Sequence, residues 1–277
     1  MSWTGLWVLG IAGAWACCAM GCAAPGGAAG GGGPLETVRA RLARADADSD
    51  TAVILTRAME EARALADEPR DGALAKALDR ADEAEAFSPS LEAPLPEGWP
   101  RPSLPGLIRI KTYPPVRAAW ADGAGGSNGQ FMTLFRHIKA RNVPMTAPVL
   151  MQAEAGGPEG SEPRPARTMA FLYRRTTQDA AGRFGDVRVA DEQPVRVASI
   201  GLKGPYWESR FQAAEEKLRQ WTRDSGQWRP AGSRRVLAYH SPFVPFWSKY
   251  SEVQLPVEPL PAGNDAPKDN QSGDDDR

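Results

Sequence analysis

The chain has 277 residues and a formal net charge of −1, from 33 Lys and Arg set against 34 Asp and Glu. Cations and acids are interspersed, so there is no basic stripe of the kind that tracks a phosphate backbone, and nucleic acid is excluded as a partner. Its 28 Gly and 25 Pro cluster in runs, which divides the chain into compact and non-compact stretches.

Residues 1–22 contain an uncharged apolar stretch, Leu6 to Ala16, shorter than a membrane span, and it predicts an export signal. Ala19-Met20-Gly21-Cys22 then places small residues at two positions ahead of a cysteine, as at a bacterial lipoprotein processing site. Cleavage before Cys22 and lipidation of its thiol are expected, giving an exported protein on the periplasmic side of a bacterial membrane, attached through a lipid anchor only. Ordinary signal cleavage, an uncleaved anchor and processing at Cys17 are the alternatives. Cys17, Cys18 and Cys22 are the chain's three cysteines, so the rest has no disulfide and no thiolate ligand.

The Gly/Ala run at 23–34 reads as a tether. Residues 35–87 are rich in Ala, Glu and Arg; Leu35, Val38 and Leu42, then Val53, Leu55, Met59, Ala62 and Leu65, then Leu74 and Leu78 fall at helical spacing. The thin apolar stripe predicts a helical spacer packing loosely on the main domain, with recruitment of a protein partner as the alternative. Residues 88–106 are proline-rich and 258–277 polar and acidic. With little apolar surface to offset ordering entropy, they read as a linker and a disordered tail.

The main domain, 107–257, shows a rough repeat of strand, helix, strand, strand. In the first half 107–121 is extended and broken by Pro114-Pro115, 130–141 is helical, and 143–153 and 167–175 are strands. In the second, 195–202 is a strand, 206–224 a helix, and 234–240 and 252–257 strands. Trp207, Phe211, Ala214, Leu218 and Trp221 recur at steps of four and three, between Gly204-Pro205 as a start and Gly226 as a stop. Such halves predict an α+β fold, a largely antiparallel sheet curved toward a barrel with two helices on one side. No Gly-rich phosphate turn follows a strand, which disfavours a nucleotide-binding fold.

Two short segments carry the chemistry. In Val143 to Val149, Pro144 forces Val143 out of helical geometry and Pro148 removes a ladder donor. Met145 either meets a flat ligand or fills an irregular gap in the core. In Tyr239 to Trp247, Pro242 and Pro245 stiffen a loop whose Phe243, Phe246 and Trp247 either cap the core or line a pocket mouth.

Ile108 to Pro115, Phe135-Arg136-His137-Ile138, Pro144-Met145-Thr146-Ala147-Pro148-Val149, and Tyr239 to Phe243 followed by Ser251-Glu252-Val253 together resemble the SOUL haem-binding family, from about 107 to 257. The resemblance implies a pseudo-twofold distorted antiparallel β-barrel with two helices, shared with the gyrase-inhibitory-protein-like ligand-binding domains, and a tetrapyrrole held non-covalently. The chain departs from the family at Ser248 to Ser251, where two arginines and an asparagine are usual, and at Lys139 to Asn142, where glycines end the first helix.

Haem needs planar apolar surface, cations for its propionates and, in many sites, an axial ligand. Phe131, Leu134, Phe135 and Ile138 share one helix face with His137 on its flank, where it either rims a groove as a metal ligand or makes no ligand bond. Arg136 and Lys139 are the candidate partners of carboxylates. The candidate cofactor-binding set is thus Phe131, Phe135, Arg136, His137, Lys139 and Met145, for haem or another amphipathic small molecule. His240, beside a proline, either bonds a loop backbone or a metal. No G-x-S-x-G elbow, free thiol or His-rich zinc spacing supports an enzyme. A non-haem envelope scaffold or other small-molecule binder is the alternative function.

Overall fold

A computed structural model describes residues 33–122, 126–152, 168–241 and 243–260. The expected export signal with Cys22, nearly all of the tether and most of the acidic tail lie outside them. Among the described residues, no helix is long and apolar enough to cross a membrane.

Residues 34–86 form α1 (Pro34–Leu42), α2 (Asp50–Ala62) and α3 (Asp67–Ala86). The Ser49 hydroxyl accepts from the Ala52 N–H at 3.1 Å and caps α2, and Asp67 and Glu68 complement the start of α3. The helical stripes meet in a core containing Val38, Leu55, Leu74 and Ala81, all fully buried. This module is clamped rather than loosely packed. Asp50 pairs with Arg109 and accepts the Leu104 N–H at 2.7 Å, while Arg57 and Arg80 donate to the carbonyls of Ile108 and Pro105 at 2.7 and 2.6 Å. No local pattern marks these two arginines, because their acceptors are main-chain oxygens 51 and 25 residues away.

The domain's strands are β1 (Ile108–Tyr113), β2 (Val116–Asp122), β3 (Val149–Gln152), β4 (Thr168–Leu172), β5 (Gly182–Phe184), β6 (Val187–Glu192), β7 (Val195–Lys203), β8 (Trp228–Pro230), β9 (Arg235–Ala238) and β10 (Tyr250–Pro259). Its helices are α4 (Gly126–Ala140) and α5 (Glu208–Ser225). All strand pairs are antiparallel, in the order β1-β7-β10-β9-β3-β4-β2-β6-β5, with β8 on β10. The fold is α+β as expected, but the sheet is open: among the described residues β1 and β5 do not pair, so no hydrogen-bonded barrel closes. β3 is shorter than the predicted 143–153, and β5, β6 and β8 were not anticipated. Val187 and Val189 do alternate with exposed Arg188, but six residues between turns give little signal.

Side-chain alternation assigns the two faces. Met151 packs with both the α4 and the α5 clusters, whereas its neighbour Leu150 faces the opposite cluster, so the two helices share one face. There α4 lies over β2, β4 and β6 and α5 over β7, β8 and β10, leaving the central pair β3 and β9 between them.

The opposite face is covered by residues 87–105, the segment composition identified as a linker. It runs as a strap over Tyr113, Trp120, Leu150, Leu172, Leu237, Tyr239 and Tyr250, contributing buried Trp99 and half-buried Phe87, Leu91 and Leu95. Pro94 O accepts the Ala147 N–H and Arg174 O the Glu97 N–H, each at 3.0 Å, and the His240 ring bonds Ser90 O at 2.7 Å. Averaged composition hides the spacing of Phe87, Leu91, Leu95 and Trp99. Prolines also restrict the unfolded segment, so ordering it costs less.

Candidate functional site

On the helix face, α4 turns Phe131 and Phe135 toward the centre of the sheet. Their rings stack at 6.2 Å between centroids and 12° between planes, and Phe131 meets Phe171 of β4 edge-on at 5.1 Å. Both rings are half-buried, as are Met145, Val149 and Met151 packed against the same cluster. Lys139 lies 5.1 Å over the Phe135 ring and Met132 is 46% exposed beside it in the helix. Four of the six predicted residues thus meet on this flank or its rim, Phe131, Phe135, Met145 and Lys139, while Arg136 is exposed on α4. A strip of polarisable apolar groups bordered by an ammonium suits a flat, amphipathic, anionic ligand.

His137 is placed elsewhere. Two residues from Phe135 is about 200° around a helix, so the two side chains occupy opposite flanks. His137 is buried, 3.1 Å from the Tyr173 hydroxyl and tilted against Phe184 of β5. Burial and the nearby Arg141 lower its pKa, with Asp179 opposing them. Burial pushes the Tyr173 hydroxyl up to about 12. Arg141 in turn pairs with Asp179 and lowers its carboxyl pKa. Depression of an imidazole pKa favours the folded chain fully above the unfolded value of about 6.5, and that contribution is lost as pH falls from there through the lower folded pKa. Urea midpoints should therefore drop more steeply between pH 7 and pH 5 in the natural chain than in a His137→Gln variant; equal slopes would show that His137 does not couple folding to protons.

Asn142, at φ 53°, follows α4 in the left-handed conformation, and the Val143 N–H returns to Ile138 O at 2.9 Å. The following motif is fixed to β4 and to the strap: Thr146 Oγ1 donates to Leu172 O at 2.5 Å and the Ala147 N–H bonds Pro94 O. Met145 is left half-buried beside the helix-face strip.

A second constellation escaped sequence reading. Under the strap, the fully buried Glu252 carboxylate pairs with Lys111 at 2.7 Å and accepts the Ser103 N–H at 2.8 Å. The hydroxyls of Tyr113 and Tyr239 donate to it at 3.2 and 3.3 Å, and that of Tyr250, which donates to Ser103 O at 2.6 Å, lies 3.0 Å from it. Burial first, and the Glu252 charge second, push all three tyrosines well above their usual pKa, so they remain donors. Beside them Ser199 Oγ is buried without a partner, and the buried Gln254 amide lies against the Tyr113 hydroxyl. The signal was present in β10, where Tyr250, Glu252 and Gln254 alternate with Val253, Leu255 and Val257, but nothing local brings Lys111 and Tyr113 to them.

The closing loop neither caps the core nor lines this chamber: Phe243, Phe246 and Trp247 are 90%, 56% and 62% exposed. His240 bonds backbone, Nδ1 accepting from the Tyr250 N–H at 3.0 Å and Nε2 meeting the strap at Ser90 O. Among the described residues no three His, Cys, Asp or Glu side chains cluster as a metal site.

No curated protein matches the chain. Among solved structures, it is similar to EcmrR in a DNA complex at 16% identity and a TM-score of 0.43, over 56% of this chain and 58% of that one. An uncharacterised conserved protein from Listeria innocua matches at 14% identity and a TM-score of 0.42, over 56% and 93%. A Staphylococcus aureus protein described as a transcription regulation protein matches at 8% and 0.32, over 55% and 98%. A family model described as SOUL heme-binding protein matches residues 107–256, more than half of the chain, and the chain belongs to that family.

Proposed function

We propose that the domain binds haem or another tetrapyrrole non-covalently on the helix face, between α4 and α5, for transport, buffering or sensing, and that the protein is exported and lipid-anchored through Cys22. The observation that carries the reading is the half-buried strip of Phe131, Phe135, Met145 and Met151 beside Lys139 in a member of this family. Strand order supports a pseudo-twofold relation between the halves: outward from β3 run β4, β2 and β6, and outward from β9 run β10, β7 and β1.

A porphyrin would supply a redox-active or light-absorbing centre; the chain's own residues hold and orient it. The phenylalanine and methionine side chains exclude water from the macrocycle, while Lys139 and the exposed Arg136 are available to carboxylates. His137 faces away toward Tyr173, so this mode of binding does not use it as an axial ligand.

Hemin titrated into the full chain should give a saturable Soret shift, weakened about tenfold or more by Phe135→Ala or Met145→Ala, since each removes a buried apolar contact. The absorption spectrum of the bound complex should survive His137→Ala. Absence of a saturable shift would sink the proposal.

A second reading, binding of a small non-haem molecule on the opposite face, is favoured by the buried Ser199 hydroxyl, which has no partner and lies across the strand pair from Gln254. Displacement of the strap by such a ligand would be seen as increased proteolysis between residues 88 and 105.

A further inference from the structure

The aromatic side chains that the core leaves out are gathered at one end of the molecule. Trp207, Phe243, Phe246 and Trp247 are 62%, 90%, 56% and 62% exposed, more than any other large apolar side chain among the described residues. Two chain segments form this end and are stitched together. The Gly204 N–H donates to Lys249 O and the Tyr206 hydroxyl to Tyr250 O, both at 2.8 Å, and Lys249 lies 5.0 Å over the Tyr206 ring. Trp207 follows directly as the N-cap of α5, and a 3-10 turn, Phe246–Ser248, sets the rings of Phe246 and Trp247 edge to face at 4.9 Å.

We propose that this end is a membrane-contacting tip that inserts its tryptophan and phenylalanine rings into the headgroup boundary of a lipid bilayer. Exposed aromatics in such a concentration mark an interaction site. Three features favour a bilayer over a protein partner. The aromatic groups sit on loop tips and a helix start, presented outward; anchors for proteins are usually received in, or surround, pockets. Tryptophan is suited to the interface, where one edge of the indole meets hydrocarbon and its N–H meets water.

Charge also agrees. Lys203, Arg210 and Lys249 lie in these two segments; of the neighbouring carboxylates, Glu208 pairs with Arg234 at 2.6 Å and Glu92 accepts from Ser241. The cations of the two segments favour anionic headgroups. Pro245 limits the freedom of the loop before it inserts, which lowers the ordering cost. This attachment is independent of the N-terminal segment and of haem.

The test uses the full chain and a Phe243→Ser/Trp247→Ser variant, co-sedimented with vesicles of phosphatidylcholine alone and of phosphatidylcholine with phosphatidylglycerol. The variant should partition about tenfold or more weakly onto both, and the natural chain should favour the anionic vesicles. Brominated phosphatidylcholine should quench tryptophan fluorescence in the natural chain and less so in the variant. Phe243→Ser alone, at the most exposed position, gives an intermediate loss and covers the case in which the double variant misfolds. Equal partitioning of natural chain and variants, as when the N-terminal segment accounts for all attachment, overturns the proposal. So does loss of self-association in the variant with vesicle binding unchanged, which would make the tip a protein interface.

Discussion

Lys111→Met is expected to destabilise the protein by about 3–5 kcal/mol, because it leaves the buried Glu252 carboxylate without a counter-charge. Lys111 is 3% exposed and Glu252 is not exposed at all, so neither can recover solvation by a small rotation. The Tyr113 and Tyr239 hydroxyls and the Ser103 N–H still donate to Glu252, but they spread the charge without cancelling it. The loss also reaches the strap, since Lys111 Nζ donates to Arg101 O at 2.8 Å. Adding Glu252→Gln to Lys111→Met should return a large part of the stability, because a neutral amide no longer needs a buried cation. Urea denaturation of the three proteins at pH 7 measures this; a single-variant cost below about 1 kcal/mol would mean that water reaches the pair.

Trp99→Ala is expected to cost about 3–5 kcal/mol, the usual range for removing a buried tryptophan. Trp99 is 6% exposed and packs edge-on against Tyr113 at 4.5 Å. Its Nε1 makes no hydrogen bond, so Trp99→Phe should cost only about 1–1.5 kcal/mol while keeping the aromatic contact. Thermal melts give the difference, and limited proteolysis shows its location: cleavage within 88–105 should accelerate in the alanine variant before the sheet itself is cut. Uniform acceleration along the chain would show that strap and sheet unfold as one unit.

What the sequence made legible follows the range of each interaction. α5 was clear because its pattern is local: Phe211, Ala214 and Leu218 are buried, and Gly226 ends the helix at φ 59°. Trp207 and Trp221 fitted the same period, yet the first stands exposed at the N-cap and the second is only half-buried under Arg57. Periodicity states which side a residue is on, and cannot state where the neighbouring element stops. The 143–149 motif identified the domain, while the phenylalanine strip beside it was readable from α4 alone. The Glu252 cluster was not readable, since its partners come from β1, β10, the strap and Tyr239 just after β9, up to 149 residues apart. Likewise the strap's role depends on tyrosines supplied by strands on both sides of the domain.

The strap sets an order of events during synthesis. Its Ser103 and Trp99 are made early, but Glu252 and Tyr250 belong to the last strand, so the closing contacts have very high sequence separation and form late. The part of the aromatic face that Tyr250 supplies is completed only when the last strand is made, and apolar surface exposed until then is open to aggregation. The family match begins at residue 107, whereas Trp99 and the rest of the strap lie before it, so a fragment trimmed to that match leaves the face of Tyr113, Trp120, Tyr239 and Tyr250 uncovered.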